Sequence, residues 1–147
     1  MDQLQIDERY MREALKEAQM AADKDEVPIG AVIVCQNQII SRAHNLTETL
    51  NDPTAHAEMQ AITSATNYLG GKYIDQCTLY VTIEPCPMCA GGLYWAQVGR
   101  LVYGADDPKR GYSLINKSIL HPKTEVTGGV LKDDCSNLVS TFFKKKR

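Results

Sequence analysis

No apolar run in this sequence approaches the roughly 20 residues that a helix needs to cross a bilayer, so no membrane-spanning helix is expected. The opening Met1-Asp2-Gln3-Leu4-Gln5 has neither the basic nor the apolar stretch of a secretory signal, and a cytoplasmic protein is expected. There is no excess of positive charge. The formal net charge is -2, so a nucleic-acid partner would have to be held by local patches. Internal repeats and low-complexity linkers are also missing. Cysteines are few and odd in number: Cys35, Cys77, Cys86, Cys89 and Cys135. Without a secretion signal they do not suggest a disulfide framework, and the close pair Cys86/Cys89 reads as metal-binding or redox-active.

What is present suits one domain over residues 1–147, with 44% hydrophobic and 23% charged residues. A chain of this length buries about two-thirds of its unfolded surface. Tyr10, Met11, Ala14, Leu15, Ala18 and Ala22 recur at helical spacing, which predicts a helix over Asp7 to Ala22. Ala31 to Cys35 is a β-branched run, Gln36-Asn37-Gln38 a polar turn and Ile39 to Ala43 a returning strand. Ala55 to Tyr68 predicts a helix closed by Gly70-Gly71. Cys77 to Ile83 is the clearest strand. Pro87 to Gln97 predicts a third helix, Arg100 to Gly104 a strand, and Glu125 to Thr127 a last short strand. Asp106 to Lys117 reads as irregular, and Val130 to Phe143 as a final helix before the tail Lys144 to Arg147. This order predicts an α/β fold in which a mixed sheet carries helices on both faces.

Two segments carry the chemistry: His56-Ala57-Glu58 and Pro85-Cys86-Pro87-Met88-Cys89. Each falls at a predicted helix start, and a predicted strand runs directly into the second. If the two helices pack on one face of the sheet, one imidazole and two thiols meet at its edge. Three such ligands leave one corner of a tetrahedral zinc open, as a catalytic site requires. The first turn of a helix favours the thiolate form, and Pro87 suits a position whose N–H has no partner. Glu58 fits a proton shuttle better than a ligand. Two other readings stand beside this one. A structural zinc site would need a fourth ligand from Cys35, His44, Cys77, His121 or Cys135, and a redox pair would leave His56 and Glu58 without a task. Cys35, Cys77 and Cys135 are expected in the core, His44 at a strand end and His121 in a loop. Tyr94 and Trp95 are expected to pack, in the core or at a subunit interface.

With these motifs, the chain resembles the bacterial tRNA-specific adenosine deaminases, zinc enzymes of cytidine deaminase-like fold. The resemblance includes Glu26 to Val32, Asn51 to Glu58, Leu79 to Gly91, Gly104 to Lys109 and Gly129 to Phe143. It implies a three-layer α/β/α domain built on a five-stranded sheet. It implies one Zn2+ per chain on His56, Cys86 and Cys89, with Glu58 as the catalytic proton carrier. It implies that Asn45 contacts the target nucleoside and that Val27, Pro28 and Ile29 wall the base pocket. The backbone N–H groups of Ala57 and Cys86 would bracket the reacting groups.

The implied reaction is hydrolytic conversion of adenosine to inosine at the wobble position of a tRNA anticodon, in a homodimer. Lys109, Arg110, Lys117 and Lys123, with the tail, offer cations for phosphate, although the tail by itself reads first as a solvated helix end that complements the dipole. The stretch from Pro85 through Leu93-Tyr94-Trp95-Ala96 also resembles bacterial guanine deaminases. A free-base or nucleoside deaminase, for guanine or cytosine, is therefore the alternative.

Overall fold

The computed structural model describes residues 1–146; Arg147, the end of the basic tail, lies outside them. Helix α1 (Gln3–Asp23) begins before the apolar stripe because Asp2 and Gln5 form a capping box. The Gln5 N–H donates to Asp2 Oδ1 at 2.8 Å, and the Asp2 N–H to Gln5 Oε1 at 3.0 Å. Strands β1 (Gly30–Cys35) and β2 (Gln38–His44) form the expected hairpin. Its turn is only Gln36-Asn37, both at positive φ (51° and 63°), the backbone that matches strand twist in a tight hairpin. Helix α2 (Ala57–Leu69) closes on Gly70 at φ 71°, and β3 (Cys77–Ile83) leads into α3 (Pro87–Ala96). Strands β4 (Arg100–Ala105) and β5 (Glu125–Thr127) precede α4 (Lys132–Lys145).

The sheet order is β2-β1-β3-β4-β5. β1 is antiparallel to both β2 and β3, while β3, β4 and β5 run parallel. This is the mixed five-stranded sheet expected. Alternation along the strands sorts the core into two layers. Ala31, Ile33, Leu79, Val81 and Leu101 face Ala57, Ala61, Ala65, Ala90 and Leu93 of α2 and α3. Val32, Val34, Tyr80 and Val102 face Tyr10, Met11 and Ala14 of α1 and Cys135 of α4. The strands are therefore buried on both faces, which is why β1 and β3 read as continuous apolar runs. Gly30 marks the closest approach of α1 to the sheet, since a Cβ there would lie 2.1 Å from the Ala14 carbonyl oxygen.

Several expectations need correction. Asp106 to Lys117 is not wholly irregular; it contains a 3₁₀ turn at Tyr112–Leu114, and another follows at Lys117–Ile119. Helix α4 starts at Lys132 rather than Val130, because Gly129 and Leu131 adopt left-handed backbone (φ 86° and 52°) that no helix can include. Cys35 is half-buried rather than core, while Cys77 and Cys135 are buried. Trp95 is 77% exposed, so it does not pack in the core of its own chain. Among the described residues, no helix is long and apolar enough to cross a membrane.

Candidate active site

The site lies where two helix starts meet. His56 is the N-cap of α2 and Cys86 the N-cap of α3, both in extended backbone. Neither uses its side chain to cap its helix, so imidazole and thiol are free to turn toward one another. Pro87 occupies the first turn of α3, as anticipated. Cys89 follows one turn on and is buried.

The three sequence-predicted ligands come together. His56 Nδ1 lies 3.6 Å from Cys86 Sγ and 3.5 Å from Cys89 Sγ, and all three donor atoms fall within 4.8 Å of one another. Tetrahedral zinc, with Zn–S of about 2.3 Å and Zn–N of about 2.0–2.1 Å, holds its nitrogen and sulfur ligands about 3.6 Å apart. The donor set fits that ion in both spacing and chemistry. Among the described residues, no fourth His, Cys, Asp or Glu joins this group. His44 ends β2 and is held between Glu17 and Lys24, and His121 sits in a loop where its Nδ1 accepts from Lys123 N–H.

Electrostatics mark the same residues. Burial pushes the Glu58 carboxyl up to about 7; the residue is 4% exposed. The Cys86 thiol is drawn down to about 4, first by its hydrogen bond with Cys89 and then by His56. Cys89 is driven upward by the same bond and by burial. His56 is raised, chiefly by its hydrogen bond to Cys86. The neighbours thus support one thiolate strongly, and a dication at their centre would favour ionising both.

The residues expected around the substrate are tied to one another and to the start of α2 by hydrogen bonds. Asn45 N–H donates to the Ile29 carbonyl (3.1 Å), and Leu46 N–H to the Ala55 carbonyl (3.0 Å). The Gln60 side chain donates to the carbonyls of His44 and Ala55. The chain beyond β2 is thereby fastened to the start of α2. Pro28 is buried, with Val27 and Ile29 half-buried, in a tight turn closed by Ile29 N–H on the Val27 carbonyl at 2.8 Å. Asn45 is 5% exposed, and its Oδ1 accepts from Thr47 N–H at 3.3 Å. Ala57 is fully buried in the first turn of α2.

Two buried carboxylates beside the site were missed in the sequence. Glu26 accepts from the N–H groups of Glu48 and Thr49 and from Thr49 Oγ1, fastening the segment after β2 to the Val27–Ile29 turn. Burial opposes its charge, but these bonds outweigh it and hold the carboxyl below its ordinary range. Glu84 likewise accepts from the N–H groups of Asp107 and Ser113, fastening the segment after β4. The signal available was an acidic residue abutting an apolar strand and a motif.

Residues 6–147 match a family model described as MafB19-like deaminase. A tRNA-specific adenosine deaminase of Bacillus subtilis (strain 168) is 48% identical over 146 residues, spanning 96% of this chain and 91% of the relative. This chain belongs to the tRNA-specific adenosine deaminase family. As a deaminase it is a hydrolase that releases ammonia. Among solved structures, the deaminase is similar to one from studies of A-to-I editing by tRNA:A34 deaminases at the wobble position of transfer RNA. The identity is 40% and the TM-score 0.82, over 88% of this chain and 98% of that one. It is also similar to a guanine deaminase from Bacillus subtilis, at 37% identity and TM-score 0.67, over 83% of this chain and 79% of that one.

Proposed function

We propose that this chain hydrolyses adenosine to inosine at the wobble position of a tRNA anticodon, with one zinc ion per chain held by His56, Cys86 and Cys89. The observation that carries the reading is one nitrogen and two sulfurs at 3.5–3.6 Å with a carboxyl buried beside them. When bound, zinc supplies a Lewis acid that makes water nucleophilic near neutral pH.

The chain's own groups do the rest. Glu58 takes a proton from the attacking water, passes it to a ring nitrogen, and delivers another as the C6–N bond breaks and ammonia leaves. The Ala57 and Cys86 N–H groups, at two helix starts, face the reacting region with their partial positive charge. Asn45 offers the side-chain amide that orients the nucleoside, and Val27, Pro28 and Ile29 form the apolar wall that excludes water from the base. The base must leave its stack to bring C6 to these groups. Lys109, Arg110, Lys117 and Lys123, all exposed, supply the local positive surface that a chain of net charge -2 needs for RNA. Exposed apolar side chains, Trp95 at 77%, Ile115 at 71% and Leu114 at 60%, support a homodimer that covers them.

The deciding experiment is inosine formation from an anticodon stem-loop, run beside free guanine, cytosine and cytidine, with zinc measured on the same preparation. Turnover of the stem-loop alone is expected. The guanine reading rests on the 37% identical guanine deaminase, and turnover of free guanine with an inert stem-loop would establish it instead.

A further inference from the structure

We propose that Glu84 is a positioning residue that clamps the segment 106–113 beside the Cys86 turn, so that Lys109 and Arg110 stand ready for substrate phosphates. This rests on the polynucleotide reading above and names the device that holds its basic edge in place.

Glu84 follows the last residue of β3 and is 4% exposed. A buried carboxylate is stable only when its charge is answered by donors. Among the described residues no cation pairs with it. Its donors all come from one segment instead. Asp107 N–H reaches Oε1 at 3.1 Å, while Ser113 N–H and Ser113 Oγ reach Oε2 at 3.0 and 2.6 Å. The segment is bound again one residue later in the chain, where Tyr112 N–H donates to the Pro85 carbonyl at 2.9 Å. Between these anchors Asp107 Oδ1 accepts from Lys109 N–H and Arg110 N–H, both at 3.0 Å, folding the two basic residues into an exposed turn.

Gly111 completes the fit. Its φ is -63°, so the backbone itself would accept any residue, but a Cβ would lie 2.4 Å from the Glu84 carboxylate. The carboxylate occupies the place of that side chain. Pro85 lies between Glu84 and the N-cap of α3. A displacement of the clamp therefore moves the basic turn relative to the reacting groups without removing any of them.

Three variants test this: E84Q, S113A and G111A, each compared with wild type in two assays. The first is limited trypsin digestion, read by mass as cleavage after Lys109 or Arg110 against cleavage after Lys72, also exposed and far along the chain. Cleavage at 109–110 should rise about tenfold in E84Q and G111A, and less in S113A, with Lys72 unchanged, the scale of one lost charge-assisted hydrogen bond. The second is stem-loop kinetics across a salt series. KM should rise about tenfold while kcat falls by less than about threefold, and the slope of log KM against log salt should flatten by about one per lost phosphate contact.

Equal cleavage of wild type and variants overturns the clamp. An opened turn with unchanged KM and salt slope overturns its role in substrate binding. If wild type itself leaves the stem-loop untouched, the substrate reading fails while the trypsin arm still decides the clamp. S113A removes a single hydroxyl and keeps the test valid should E84Q fold poorly.

Discussion

A carboxyl taken out of water prefers to be neutral unless something nearby answers its charge, and the buried acidic residues of this protein differ in what answers. Glu58 is raised to about 7, chiefly by burial, which suits a group that must both take and give a proton. Glu58→Gln keeps shape and removes the shuttle. It is expected to lower inosine formation by about 10²–10⁴-fold, with zinc content and thermal midpoint unchanged; retained activity would refute the assignment.

Asp7 is the opposite case. Burial opposes its charge, yet bonds from Arg100, Gln3 and Tyr80 hold it below its ordinary value. Arg100 meets it with both guanidinium nitrogens at 2.7 Å. Removing one partner of such a pair leaves a buried charge unpaired, and Asp7→Ala should cost about 3 kcal/mol in denaturant unfolding. Because the folded value lies below the unfolded one, this contribution is complete above about pH 4 and is lost as pH falls through the folded value. The difference between wild type and Asp7→Ala should therefore shrink on acidification. The reactive side chains were legible because their types and spacing are rare together. Glu26 and Glu84 were not, since their donors lie 22 and 29 residues further along the chain.

Elements were legible where burial imposed a repeat. The strands Gly30–Cys35 and Cys77–Ile83 carry apolar side chains on both faces, so they show as unbroken β-branched runs. Helix starts were harder to read. The stripe of α1 marks where the helix begins to touch the sheet, whereas its first turn is set by the Asp2–Gln5 box, which is solvent-exposed and leaves no apolar trace. The 3₁₀ turn at Tyr112–Leu114 is anchored by Glu84 and Pro85, acceptors distant in sequence, whereas Lys117–Ile119 is capped locally by the Asn116 side chain, which accepts from Ser118 N–H. Packing between elements yields its own prediction at Gly30. A methyl there would collide with the backbone of α1 at Ala14 and Ala18. Gly30→Ala should destabilise by about 1–3 kcal/mol, the usual range for overpacking, seen as a lower denaturation midpoint with the slope unchanged.

For the whole molecule, the apolar surface left outside the two core layers matters most. Trp95 on α3, Leu114 and Ile115 are large apolar side chains exposed to water, the surface that the dimer proposed above would cover. Trp95→Glu is expected to shift sedimentation from dimer to monomer while the circular dichroism spectrum stays the same; an unchanged monomer in both would remove the dimer from consideration. Periodicity does not bear on assembly, because an interface helix and a core helix show the same stripe.

His56 and Cys86 stand 30 residues apart in sequence, on separate helices that are joined through the sheet. An ion gripped by both would act as a rivet driven through the outer layer, so that loosening it frees one end of the molecule rather than one side chain. Stripping the protein with a chelator should then lower the melting temperature, and added zinc should restore it progressively with free concentration, as ligand linkage requires.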